Sequence, residues 1–117
     1  MIAHVVLFRP RPDLATDEVA HLLTSFEKAL RDITLVQRAH VGRRVTVGRG
    51  YEQMMRADYP YAAVLEFESI TALRGYLEHP AHAEIGSAVF AAAADILVYD
   101  FEMGPGTEGI SSVAAPI

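Results

Sequence analysis

The residues best suited to chemistry lie in one short segment, residues 76–82, which reads YLEHPAH. Tyr76 falls on the apolar face of a predicted helix, and His82 falls in the first turn of the next helix. A helix N-terminus and burial both disfavour an imidazolium, so we expect His82 to be neutral. A neutral imidazole can act as a general base, and a phenol can orient or polarise a carbonyl. His82 and Tyr76 are therefore the candidate catalytic residues.

The same spacing also fits a purely structural interpretation. His82 would then be a core histidine bonded to a backbone carbonyl, and Tyr76 would serve as packing. His4, inside an apolar strand, has the same simple interpretation, and His21 falls on the solvent side of its helix. Spacing alone favours these structural interpretations, so a catalytic assignment needs support from elsewhere.

A metal site is a weaker hypothesis for the same segment. His79 and His82 are three residues apart, with Glu78 and Glu84 on either side, and imidazoles with carboxylates can bind a transition metal. Pro80 turns the chain after His79, however, so we predict no metal site and no cofactor. A group of arginines is predicted to cover a solvated strand face and loop rather than an anion site: Arg38, Arg43, Arg44 and Arg49.

Composition excludes several classes of protein. The 117 residues contain no Cys, which rules out disulfides, a thiolate zinc site and a cysteine nucleophile. The net charge of −5 disfavours nucleic acid as a partner. No run is long enough to span a membrane, and no cationic segment precedes an apolar one as in a signal peptide. We expect a cytoplasmic protein, and nine arginines against one lysine suggest a bacterial source.

The pattern of apolar residues predicts a strand followed by a long helix. Residues 2–8 are apolar on both faces of a strand, which Pro10 and Pro12 end. Thr16 is predicted to cap the helix that follows. The apolar stripe of that helix is predicted to comprise Val19, Leu22, Leu23, Phe26, Leu30 and Ile33.

The rest of the chain repeats this order with an interrupted helix. Ser69 is predicted to cap the second helix, which breaks at His79, because a residue before proline avoids helical geometry. Pro80 then begins a further helix. The remaining elements are predicted as a strand over 36–47, a loop over 48–60, a strand over 61–68, a strand over 96–102 and a tail from Met103.

Two βαβ units in succession predict a ferredoxin-like sandwich, a four-stranded antiparallel sheet with helices on one face. The other face of the sheet stays open. An open apolar face of this kind indicates a partner, and a second copy of the chain packed sheet to sheet is the simplest one. The residues expected between the two copies are Ala3, Val5, Leu7, Ala62 and Val64.

The sequence resembles the stress-responsive A/B barrel domain (Dabb) family of dimeric α/β barrels. The resemblance depends on residues 2–8, the LEFES segment at 65–69, residues 76–82 and the LVYDF segment at 97–101. It covers residues 2–103, so we take 1–103 as the domain and 104–117 as a flexible or partner-packing tail. It implies a homodimer in which each subunit keeps a pocket between its sheet and its helices.

One plant branch of this family is a polyketide cyclase that works without a cofactor. The resemblance implies that His82 corresponds to its base and Tyr76 to the tyrosine that assists an aldol closure. His4 corresponds to a histidine of that pocket, whereas Tyr61 stands where the branch has another histidine. The resemblance thus implies a ligand site formed by His4, Tyr61, Tyr76 and His82.

These observations lead to one preferred function and several alternatives. We expect a homodimer that binds a small apolar or aromatic ligand, with no nucleic-acid or membrane partner. One alternative is a cofactor-independent cyclase or lyase that uses His82 as base and Tyr76 as assisting phenol. A second is a purely structural or interaction domain. A barrel that oxidises aromatic substrates or binds heme is a further alternative, for which no motif is present.

Overall fold

The computed structural model describes residues 1–114 and has the predicted order of elements. Two βαβ units follow each other, and the helix of the second unit is divided in two, as the sequence predicts. The elements are β1 (Ile2–Pro10), α1 (Thr16–Asp32), β2 (Arg38–Arg43), α2 (Gly50–Met54), β3 (Tyr61–Phe67), α3 (Ile70–Glu78), α4 (Pro80–Ala92), β4 (Ala93–Glu102) and α5 (Gly106–Ala114). The predicted ferredoxin-like fold class is confirmed.

The four strands form one antiparallel sheet in the order β2-β3-β1-β4. β1 lies in the interior of the sheet, which explains why its sequence is apolar on both faces. Its register places His4 opposite Leu65 on one side and opposite Asp100 on the other. Because paired residues point to the same face of a sheet, these three side chains share the helix-covered face.

The core lies between the sheet and its helices. Alternate residues of β3 are buried there, and Leu65 and Phe67 are almost wholly inaccessible. Ile33, at the end of α1, completes the most deeply buried group. Burial at every second position is the pattern predicted for a sheet with one covered face.

The opposite face of the sheet carries no helix and presents a continuous apolar surface, which we call the open face. Its apolar side chains are Val5, Leu7, Ala62, Val64, Leu97, Tyr99 and Phe101. The sequence correctly places β1 and β3 residues here, except that Ala3 is already buried within its own chain. The three β4 residues were not foreseen, and Tyr99 and Phe101 are about half exposed.

The first helix differs from its prediction in two respects. Ala15, not Thr16, precedes the first turn, and the carboxylate of Glu18 accepts a hydrogen bond from the Ala15 N–H at 3.2 Å. Val19 and Leu23 are exposed, whereas Ser25 is buried. The reason is that α1 packs against α4, and small side chains at that contact let the two helices approach closely.

The segment between β2 and β3 also differs from the prediction. The strand ends at Arg43 rather than near residue 47, and the expected loop contains α2. The Glu52 carboxylate organises this segment, because it accepts hydrogen bonds from the backbone N–H groups of Val47, Gly48 and Arg49 at 2.7, 2.8 and 3.0 Å. These bonds hold the pKa of Glu52 below its ordinary value, and the bond from Val47 has the largest effect.

We predict that Glu52→Gln loosens this segment selectively. The free energy that the carboxylate contributes is present above its ordinary pKa of 4.5 and is lost as the pH falls through the lowered value. An amide has one acceptor oxygen, so at neutral pH the backbone N–H groups of Val47, Gly48 and Arg49 should exchange faster in the variant. Hydrogen exchange measures this, with Glu68→Gln as the exposed control. Unchanged protection of all three amides would contradict the prediction.

The predicted tail, expected to be flexible or to pack on a partner, contains the helix α5, which the sequence did not indicate. Its glycines are structural: Gly106 has a φ of +44°, and a Cβ on Gly109 would lie 2.4 Å from the Gly104 carbonyl oxygen. Ile110 and Val113 on α5 are largely exposed. Residues 115–117 of the predicted tail lie outside the described residues.

None of the helices formed by residues 1–114 is both long enough and apolar enough to cross a membrane.

Candidate functional site

The break between α3 and α4 positions the two candidate catalytic residues. The Ser69 hydroxyl accepts from the Ala72 N–H at 3.1 Å, as predicted, and α3 ends at His79. Pro80 is the first residue of α4, and Nδ1 of His79 accepts from the Ala81 N–H at 3.0 Å. The His79 ring therefore caps the N-terminus of α4.

Tyr76, in the last turn of α3, and His82, in the first turn of α4, meet edge to face across this break. Their ring centroids are 4.8 Å apart. Tyr76 also contacts the ring of Phe67 at 5.1 Å and that of His4 at 5.9 Å. The structure thus brings together three of the four predicted ligand residues, His4, Tyr76 and His82. We call these three residues, with Phe67, the ring cluster.

The Tyr76 hydroxyl is the least expected feature of this cluster. The residue is only 3% exposed, and its hydroxyl makes no hydrogen bond to any part of residues 1–114. Burial raises the pKa of Tyr76 to about 12, so the phenol is protonated at neutral pH. The enclosed side-chain atom without a partner in the described chain is Arg11 Nε and not the Tyr76 oxygen, so a ligand or water can reach this hydroxyl and accept its hydrogen bond.

His82 is half-buried and electrically neutral at neutral pH. Burial is the main reason that its pKa lies below the ordinary value, and charge on His4 lowers it further. A hydrogen bond with the backbone of Leu77 acts in the opposite direction and does not outweigh these effects. His82 can therefore accept a proton or a hydrogen bond, as the sequence predicts.

His4 is 5% exposed and has a partner that sequence reasoning missed. Its Nδ1 lies 2.5 Å from Oδ1 of Asp100, on the neighbouring strand β4. A signal for Asp100 was present, because Ile96, Val98 and Asp100 alternate along β4 and a carboxylate is unusual on a helix-covered face. The alternation does not reveal the register between β1 and β4, which places this carboxylate beside His4.

Tyr61 does not join the ring cluster. It lies at the far end of β3, opposite Phe8, and its side chain is about half exposed. It is four residues from Leu65, the partner of His4, which is roughly 13 Å along a strand. The surface depressions beside α5 and beside Met1 include none of the four predicted ligand residues in their walls.

A metal site finds no geometric support in the part of the chain that is described. No three His, Asp or Glu side chains of residues 1–114 converge in a manner suited to an ion. His79 binds the backbone of α4, and the Glu84 carboxylate lies 3.2 Å from Nζ of Lys28. Two of the four residues that suggested this site, His79 and Glu84, therefore have other partners.

We predict that His82 makes the stability of this protein pH-dependent. Because its pKa is lowered in the folded state, the unfolded chain binds the proton more readily, and the free energy of unfolding falls as the pH drops below about 6.5. His82→Gln removes the ionisation and should flatten this dependence. Urea unfolding at fixed protein concentration over a pH series measures it, with exposed His21→Gln as the control. Equal slopes for wild type and His82→Gln would contradict the prediction.

Comparison with known proteins gives a family and a fold. The family model described as Stress responsive A/B Barrel Domain matches residues 2–103. No curated protein matches the sequence.

Three solved structures illustrate the likeness of fold. An Arabidopsis thaliana protein is 21% identical with a TM-score of 0.73, over 91% of this chain and 98% of that one. A dimeric ferredoxin-like protein from Thermobifida fusca is 22% identical with a TM-score of 0.68, over 87% and 90%. The hydroxynitrile lyase of Passiflora edulis is 17% identical with a TM-score of 0.69, over 90% and 94%. At these identities the likeness concerns the fold alone.

Proposed function

The chain belongs to the stress responsive A/B barrel domain family, and from that premise we propose that it is a homodimer that binds a small apolar or aromatic molecule beside Tyr76 and His82. The observation that carries this proposal is the hydroxyl of the buried residue Tyr76, a protonated donor without a partner in residues 1–114. A ligand oxygen supplies the missing acceptor.

The surroundings of Tyr76 fit a ligand that is mostly apolar. Phe67 and the edges of two imidazoles present ring surface, and few polar groups remain to fix the orientation of a bound molecule. His82 is half-buried and provides a neutral acceptor close to the Tyr76 donor. Tyr61 takes part only if the ligand extends along the sheet towards the far end of β3.

A second candidate function is proton abstraction next to a carbonyl. The observation that favours it is the pair of protonation states: a neutral imidazole and a protonated phenol whose rings are 4.8 Å apart. His82 would remove the proton, and Tyr76 would donate a hydrogen bond to the carbonyl oxygen as negative charge develops there. An aldol-type cyclase or lyase needs these two groups.

The binding proposal is tested with benzoylacetone, an aromatic β-diketone, as probe. We expect His82→Ala to leave a folded protein and to abolish binding, since it removes the acceptor. Tyr76→Phe should weaken binding at least tenfold, about 1.4 kcal/mol for one hydrogen bond, and should leave the melting temperature unchanged, since the hydroxyl has no protein partner to lose. Calorimetric titration and thermal melts measure both effects, with His21→Ala as the control.

The structural interpretation predicts a different outcome of the same experiment. If the ring cluster is packing alone, wild type takes up no probe and His82→Ala lowers stability by roughly 1–3 kcal/mol. That pair of results would overturn the binding proposal. Conversion of the probe by wild type, absent in His82→Ala, would favour proton abstraction over binding alone.

The homodimer is proposed to form through the open face. Tyr99 and Phe101 are half exposed at its apolar centre, and polar pairs lie at its ends: Arg38 with Glu66, and Asp95 with Tyr59. An apolar centre with a polar rim is the usual anatomy of a protein interface. The solved relative from Thermobifida fusca is described as dimeric, and α5, with its exposed apolar side chains, is proposed to pack on the partner.

We predict that Val64→Asp dissociates the dimer. The substitution places a charge in the centre of the open face, where a standard interface of about 1,600 Å² would bury it. Light scattering should give twice 12.8 kDa for wild type and the single-chain mass for the variant. Leu23→Asp, at an exposed apolar position of α1, should remain dimeric. A monomeric wild type would contradict the proposal.

The expected location in the bacterial cytoplasm stays a prediction from composition.

A further inference from the structure

The contact between His4 and Asp100 ties the buried ring cluster to a carboxylate at the edge of the sheet. We propose that Asp100 is the positioning residue of the site: its carboxylate accepts the Nδ1–H of His4, which fixes the tautomer and the orientation of the His4 ring and leaves its Nε2 as the acceptor. This inference rests on the proposed function, because it concerns how a histidine of the same site is held for the ligand.

The contact is built into the fold rather than formed by two flexible surface chains. His4 and Asp100 are directly paired residues of adjacent antiparallel strands, and both point to the helix-covered face. Cβ atoms of such a pair lie about 5 Å apart, which leaves a short side chain like aspartate little freedom to turn away. Nδ1 and Oδ1 are 2.5 Å apart, within hydrogen-bonding distance, and the carboxylate acceptor makes this bond charge-assisted.

The contact also determines which nitrogen of His4 carries a hydrogen. A carboxylate accepts only, so Nδ1 must be the donor, and in the neutral ring Nε2 is then a bare acceptor. Second partners of this kind fix the orientation and tautomer of functional histidines in many sites. His4 therefore has one defined chemical form within the ring cluster.

The groups around His4 identify its partner. Among described side chains, Asp100 is the carboxylate bonded to His4, and Glu102 on the same strand is opposite Ile2 instead. The α3 and α4 helices contribute Tyr76 and His82, and β3 contributes only apolar side chains at this level. Asp100 is therefore the group that sets the tautomer of His4.

The orientation of His4 bears on the rest of the ring cluster. Its ring centroid lies 5.9 Å from that of Tyr76, whose ring in turn meets that of His82. A His4 ring held by Asp100 therefore fixes one wall of the site beside Tyr76, and Asp100 acts on the ligand through His4 without touching it.

The proposal is tested by imidazole nitrogen NMR of the intact chain over a pH series. In wild type we expect His4 to be the Nδ1–H tautomer, with a strongly deshielded Nδ1 proton. In Asp100→Asn the carboxylate acceptor is gone, so the single tautomer should be lost and the Nδ1 proton signal should move upfield. Glu102→Gln removes an equal charge from the same face of β4 and should behave like wild type.

Two results would overturn the proposal. One is a wild-type His4 with its hydrogen on Nε2, a measurement that needs no variant and stands even if Asp100→Asn fails to fold. The other is an Asp100→Asn variant in which His4 keeps the single Nδ1–H tautomer, as in Glu102→Gln. Neither measurement uses a ligand, so failure of benzoylacetone to bind would count against the proposed function and not against the role of Asp100.

Discussion

The break at His79 and Pro80 is the constraint on which the candidate site depends. In an unbroken helix from residue 70 to 92, Tyr76 and His82 would be six residues apart, which is about 9 Å along the axis and about 120° around it. The proline ends the first helix and starts the second, and the His79 ring caps the new N-terminus. Only because the chain turns there can the last side chains of α3 and the first of α4 meet above the sheet.

The sheet supplies the other half of the site through β1. This strand lies between β3 and β4, so it has a neighbour on each edge and a different environment on each face. On the covered face His4 meets Phe67, Tyr76 and Asp100; on the open face Val5 and Leu7 join the apolar surface. The ring cluster and the proposed dimer interface are thus two faces of one strand, and a change in its register would disrupt both.

The polar groups inside this core differ in whether they have hydrogen-bond partners within the chain. His4 is paired with Asp100 through Nδ1, His82 is half-buried, and the Tyr76 hydroxyl has no partner within the described chain. A hydrogen-bond donor and a neutral acceptor therefore lie side by side at the break between α3 and α4. The proposed ligand uses this pair.

The sequence by itself determined the features that depend on neighbouring residues. The helix cap at Ser69, the break at Pro80, the alternation of β3 and the neutral state expected of His82 all follow from local spacing and hold in the structure. The partner of His4 was decided only by the tertiary structure, because strand register joins residues 96 positions apart. The tertiary structure also decided the distance of Tyr61 from the ring cluster and the turn held by Glu52. It decided the buried face of α1 as well, because that face is set by the contact with α4. The Gly and Pro residues near position 105 led to the prediction of a tail rather than a helix. The sequence cannot distinguish a glycine that permits motion from one that permits two backbones to approach closely.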